Sequence, residues 1–157
     1  MLESANRLLK FKPKGDSFRW SDVRVTDYKR RQETGLEWVD IIREVLVGKN
    51  QEKTSFELRY FEIKSGGHSS LEKHAHAHVV IAQQGTGRVI CGEKSFEMYP
   101  MDTMYIEPWV PHQFLASGDA SFGFFCIVDA DRDSPTRLTP EENGLARAAG
   151  AVGPPAT

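Results

Sequence analysis

The sequence predicts an all-β domain, an antiparallel sandwich or barrel, and three observations carry that prediction. From Ser55 onward, short runs rich in β-branched and aromatic residues recur. Gly-rich breaks such as Gly85-Thr86-Gly87 separate them, as hairpin-built folds require. One segment alone, close to the C-terminus, carries the start signals of a helix.

Taken in order, residues 1–50 read as a polar N-terminal arm that packs on the barrel through Phe11, Phe18, Trp20, Tyr28 and Trp38. Within it, "EWVDIIREVLVG" fits a strand or a short helix. Residues 51–133 are the expected barrel, with strands at "SFELRYFEI", "HVVIAQQ", "RVICG", "SFEMYPMDTMYIEP" and "FGFFCIVD" and a turn at "GGHSS". Residues 134–150 are expected to hold the short helix: Thr139 is the N-cap, Pro140 the first helical residue and Glu142 the third, which is a capping box. The tail at 151–157 is expected to be disordered.

Composition removes several classes of function. At 157 residues the chain fits one domain able to bury a core without disulfides or a structural metal. Twenty basic and 22 acidic residues give a net charge of -2 and no basic field for a phosphate backbone, so nucleic acid is not an expected partner. The start, "MLESANRLLKFKPKG", lacks the apolar core of a signal peptide, and no run approaches the ~20 residues of a membrane span. The expected setting is cytoplasmic, with no membrane partner, and there Cys91 and Cys126 stay reduced.

The chemistry concentrates in "LEKHAHAHVVI". If this stretch is extended, Glu72, His74, His76 and His78 project to one side. Three imidazoles and a carboxylate on one wall, running into apolar Val79-Val80-Ile81, suit a divalent-metal site better than a solvated surface tract. His112, in a turn bounded by Pro108 and Pro111, is placed to supply the facing ligand.

These residues resemble a small single-domain cupin. "GGHSSLEKHAHAHVVIAQQGTG" is similar to the first cupin motif, with His78 at the position the family usually gives to Glu. "YPMDTMYIEPWVPHQF" resembles the second, through Pro100, Asp102, Pro108 and His112, although Met101 replaces the usual turn glycine. The resemblance implies a single double-stranded β-helix, or jelly-roll, barrel with the N-terminal arm and the short C-terminal helix attached. It also implies a metal held by His74, His76, His78 and His112. The loop between the His pair and His78 is shorter than is usual in the family, which leaves two ligand pairs open, His74 with His76 or Glu72 with His74; the first is preferred, and the other group then contacts substrate or orients a ligand. Manganese is the first expectation, with Fe, Ni, Co, Cu or Zn as the others.

A longer similarity runs through "FELRYFEIKSGGHSSLEKHAHAHVVI", "PWVPHQF" and "FGFFCIVDADRDSPTRLTPEE". It is to the small cupins that act as methylsulfurylases on 1-methylthio-xylulose 5-phosphate in a methionine-salvage shunt. That likeness implies that Cys126 is the nucleophile, that 1-deoxyxylulose 5-phosphate and methanethiol are the products, and that glutathione or another thiol is the reductant. A spare histidine or Tyr105 is the candidate proton donor, and Glu72, Arg59 and Gln113 are the candidate substrate contacts, with Arg43, Lys73 and Arg88 as further cations for a sugar phosphate. His68 is expected at the surface, and Cys91 is given no role. The small cupins also imply a possible homodimer. Two other readings are a cupin dioxygenase or sugar-type isomerase in which Cys126 is only packing, and a non-catalytic small-molecule-binding cupin.

Overall fold

The computed structural model of the chain describes residues 4–29 and 37–154. The first residues of the expected arm, its 30–36 segment and the last three residues of the expected tail lie outside the described residues.

Among the described residues there are nine strands and one helix. They are β1 (Val25–Asp27), β2 (Val39–Val47), β3 (Phe56–His68), β4 (His78–Gln84), β5 (Gly87–Cys91), β6 (Lys94–Met98), β7 (Thr103–Ile106), β8 (His112–Ala116), β9 (Phe122–Asp129) and α1 (Pro140–Ala149). Their order is β6-β5-β8-β3-β9-β4-β7, with β2 hydrogen-bonded to β3 and β1 to β2, and every pairing is antiparallel. The sheet folds round into a nearly closed all-β jelly-roll barrel, with β1, β6 and β7 each paired on one side only. No described helix is long and apolar enough to cross a membrane.

The segment "EWVDIIREVLVG" is a strand, so the second half of the expected arm belongs to the sheet as β2. Alternation explains why. Ile41 and Trp38 join the apolar core beside Phe61 and Ile63, while Glu44 points to the opposite face.

β3 runs through the "GG" that reads as a break. Its first part pairs with β2 and β9, and its last residue, His68, pairs with Leu115 of β8. Gly66 takes φ +80°, a left-handed conformation that lets the strand turn the corner between the two halves of the barrel. At Gly67 a Cβ would sit 2.6 Å from the Val39 carbonyl oxygen, so the corner is tight as well as bent.

β9 crosses the middle of the sheet with Phe122, Phe124, Cys126 and Val128 turned inward. Phe124 stacks on Phe61 and Phe114 at 5.5 and 4.7 Å between ring centroids, and this aromatic floor supports the pocket. The helix starts with the expected capping box: Thr139 Oγ1 accepts the Glu142 N–H, and Glu142 accepts the Thr139 N–H. Lys73 pairs with Glu142, which ties the helix to the histidine segment. Past α1, Ala151 is buried and Val152 bonds to Gln113, so the expected tail opens with two fixed residues.

Candidate active site

Strand register assembles the pocket. Arg59 on β3 lies opposite Cys126 on β9, which lies opposite Val80 on β4. His78 shares the face of Val80, two residues earlier, so the thiol and the first imidazole look into the same space.

The histidine segment departs from the extended geometry that its alternation predicts. Only His78 lies in a strand. Glu72 and Lys73 form isolated bridges to His112 and Thr136, and the backbone bends at Ala75 and His76. Asp133 explains the bend: its carboxylate accepts the N–H of Ala75 at 2.7 Å and that of His76 at 3.2 Å. Side chains still converge because the bend lays the His76 ring flat on His74, at 3.6 Å and 1° between planes. The rings of His74, His78 and His112 meet each other at 4.6–4.8 Å and 62–72°.

Hydrogen bonds fix which ring nitrogens are available. His74 Nδ1 donates to the His76 carbonyl at 2.8 Å and His112 Nδ1 to the Val110 carbonyl at 2.9 Å, while His76 Nδ1 meets Asp133 Oδ1 at 2.8 Å. Each of these rings therefore keeps its Nε2 lone pair for the pocket. Burial first, and then the neighbouring imidazole of His112, pushes His74 down to about 4 and lowers His78 as well; burial also lowers His112. Neutral imidazoles with inward lone pairs are the form a metal needs. His74 Nε2 lies 2.8 Å from His78 Nε2, an approach suited to two donors around one cation. Two overlapping groups of possible ligands result, His74 with His76 and His78, and Glu72 with His74 and His112.

Glu72 is held from behind. Lys29 and Ser70 both donate to its Oε2, and the Tyr28 hydroxyl is 3.1 Å from Ser70 Oγ. Burial alone would raise the carboxyl, but Lys29 and then His112 outweigh it and hold Glu72 below the usual carboxylate range.

Cys126 Sγ lies 3.0 Å from His78 Nδ1 and 3.5 Å from Arg59 Nη2, at only 1 % exposure. Burial pushes the thiol up, and the Arg59 guanidinium draws it part of the way back. Thiol, guanidinium, imidazoles and Glu72 line one cavity of about 160 Å³.

The chain matches known proteins over nearly its whole length. Residues 59–128 match the cupin domain family. A curated relative, 1-methylthio-D-xylulose 5-phosphate methylsulfurylase of Rhodospirillum rubrum, is 38% identical over 142 residues, which is 90% of this chain and 88% of that protein. The chain is a cupin.

Solved cupins agree. A cupin-2 domain protein from Rhodospirillum rubrum is 37% identical with a TM-score of 0.74, over 88% of this chain and 90% of that one. A cupin 2 conserved barrel protein from Rhodopseudomonas palustris is 34% identical with a TM-score of 0.77, over 90% and 92%.

The cupin barrel brings together most of the residues singled out from sequence: His74, His76, His78, His112, Glu72, Arg59 and Cys126 all line the cavity. It does not bring Tyr105 there. Tyr105 is 60 % exposed on β7, because Ile106 is the β7 residue that pairs with His78 and turns inward. Nor does Gln113 face the cavity. It is fully buried on the opposite side of β8 from His112, donating to the Ser69 and Val152 carbonyls. His68, expected at the surface, is buried at the end of β3 with its ring on the Ser69 carbonyl. Lys73 and Arg88 are engaged elsewhere, with Glu142 and Glu97. Two contributors were missed: Asp133, which orients His76, and Lys29, which holds Glu72. Neither stands at a fixed spacing from the residue it serves.

Proposed function

We propose that this cupin is a metal-dependent enzyme that cleaves the carbon–sulfur bond of a methylthio-ketose phosphate, turning 1-methylthio-xylulose 5-phosphate into 1-deoxyxylulose 5-phosphate. The observation that carries the reading is the placement of a buried thiol, Cys126, 3.0 Å from an imidazole of the histidine cluster, inside the same cavity. The activity printed for the Rhodospirillum rubrum relative supports it.

His74, His76, His78 and His112, with Glu72 beside them, are the residues that would hold a divalent transition ion, with manganese the first expectation. Such an ion supplies Lewis-acid stabilisation of negative charge on a carbonyl oxygen. The chain's own residues supply the rest. Arg59, against Sγ, favours the thiolate of Cys126. The thiolate attacks the methylthio sulfur: an S–S bond forms, the C1–S bond breaks, and its electron pair passes to C1 and the C2 carbonyl as an enolate. Protonation at C1, which balances the proton given up by the Cys126 thiol, gives the 1-deoxyketose. Cys126 is left as a methyl disulfide. One external thiol, such as glutathione, attacks the Cys126 sulfur, expels the methylthio group as methanethiol and takes its place as a mixed disulfide; a second thiol frees the cysteine and leaves with the first as their disulfide. The stacked rings of Phe61, Phe114 and Phe124 give the cavity an apolar floor beside these groups.

The test is methanethiol release from 1-methylthio-xylulose 5-phosphate by metal-loaded protein with glutathione present. Wild type is expected to turn over, and Cys126→Ala to fall to background with its metal content unchanged. Full activity in Cys126→Ala would remove the thiol mechanism.

A further inference from the structure

Two cations of this cavity have no carboxylate of their own. Lys29 is paired with Glu72, and Arg132 with Glu57. Arg43 and Arg59 enter no ion pair among the described residues, and the Nε of each is buried without a hydrogen-bond partner. Arg59 is only 8 % exposed, and its other contacts, the Cys126 sulfur and the face of Phe61, do not cancel its charge. Burial first, and then the nearby charge of Arg59, pulls Arg43 below the ordinary arginine value. Two guanidiniums that repel each other in a half-dry cleft cost stability unless an anion joins them.

Register shows where that anion would sit. Arg43 on β2 pairs with Phe61, and Val45, two residues on, pairs with Arg59. Both arginines therefore lie on the cavity side, and β2 is two strand spacings, roughly 10 Å, from the Cys126 strand. Arg59 stands between the sulfur and Arg43. A substrate with its reacting sulfur at Cys126 and its far end toward β2 would pass along that line.

We infer that Arg43 and Arg59 form a dianion subsite that receives the terminal phosphate monoester of the ketose on the β2 side of the cavity, with Arg59 between it and the Cys126 sulfur. The subsite rests on the proposed reaction for the identity of the organic part of the ligand, and on the unpaired guanidiniums for the phosphate. Planar guanidiniums bind phosphate oxygens bidentately, which makes the pair selective for a dianion over a neutral sugar.

Calorimetry on the metal-loaded protein tests it with three probes: inorganic phosphate, 1-deoxyxylulose 5-phosphate and unphosphorylated 1-deoxyxylulose. Wild type is expected to bind the phosphorylated sugar at least tenfold more tightly than the unphosphorylated one. Arg43→Gln should remove that preference and weaken inorganic phosphate by a similar factor, Arg43→Lys should restore part of it, and the surface variant Arg88→Gln should behave as wild type. Metal content and alkylation of Cys126 by iodoacetamide, measured on Arg43→Gln, show that the rest of the site is intact. A preference unchanged in Arg43→Gln, or absent in wild type, overturns the subsite. The two readings fail separately: lost phosphate affinity in a protein that releases no methanethiol keeps the subsite and removes the reaction, whereas unchanged affinity in an active enzyme does the reverse.

Discussion

Asp133 and His76 meet across 57 residues of chain, with Oδ1 of the one 2.8 Å from Nδ1 of the other. The same carboxylate accepts the backbone N–H groups of Ala75 and His76, and these bonds, Ala75 first, hold it down to about 2. Asp133 thus sets the bend of the histidine segment and the orientation of one ring.

Asp133→Asn is therefore expected to weaken metal binding by about tenfold while the barrel stays folded, since carboxylates that orient metal-ligating histidines commonly contribute that much. A metal titration followed by circular dichroism checks both halves. His76→Ala and Glu72→Gln extend the test, because the two possible ligand groups share His74 but differ in these residues. Metal affinity that is lost in Glu72→Gln and untouched in both other variants would assign Glu72 rather than His76 to the ion.

Glu44 makes stability depend on pH. It is fully buried on the outer face of β2 beneath the N-terminal arm; neither carboxylate oxygen has a hydrogen-bond partner, and Arg19 approaches only to 3.8 Å. Burial raises it from 4.5 to about 7, with Arg19 opposing. A carboxyl whose folded value lies above its unfolded value favours the folded state only in its protonated form. Stability should therefore fall as pH rises from about 4.5 to about 7 and level off above that. Glu44→Gln should be more stable than wild type at pH 8 by about 1–3 kcal/mol and nearly equal to it at pH 4, measured by urea unfolding. Equal midpoints at both pH values would show that Glu44 ionises without cost.

Met101 occupies the turn between β6 and β7 with φ +75° and its side chain 73 % exposed. The left-handed conformation disfavours any residue with a Cβ, and Met101 has no buried packing to set against that strain. Met101→Gly is expected to stabilise the protein by about 1 kcal/mol, read as a rise of several degrees in Tm, with methanethiol release unchanged. A lowered Tm would contradict the account.

Much of the barrel is legible because its strands obey one rule, inward apolar residues at alternate positions. Phe122, Phe124, Cys126 and Val128 follow it, so the inward aim of the thiol can be read from spacing alone. The same rule places Tyr105 outside, since Met104 and Ile106 take the inward positions of β7. Its candidacy rested on its hydroxyl rather than on its register. The "GG" of β3 misleads for a different reason: glycine permits a corner within a strand as readily as a turn between strands. Asp133, Lys29 and the unpaired state of Arg43 are out of reach of local pattern. Asp133 and Lys29 acquire their roles from partners dozens of residues away, and only the folded chain shows which charges find counterparts and which, like Arg43, do not.

Gln113 gives the far end of the chain a stake in the site. Its amide donates to the Val152 carbonyl and accepts the Val152 N–H, in a fully buried position directly behind His112. A chain cut after Gly150 would strand both bonds at once, leaving a dry amide to seek new partners by shifting β8 and the imidazole it carries. Trimming a few residues near the C-terminus, a routine step in preparing a small protein, is here equivalent to mutating the wall of the pocket. A tag that starts beyond Val152 leaves that wall untouched.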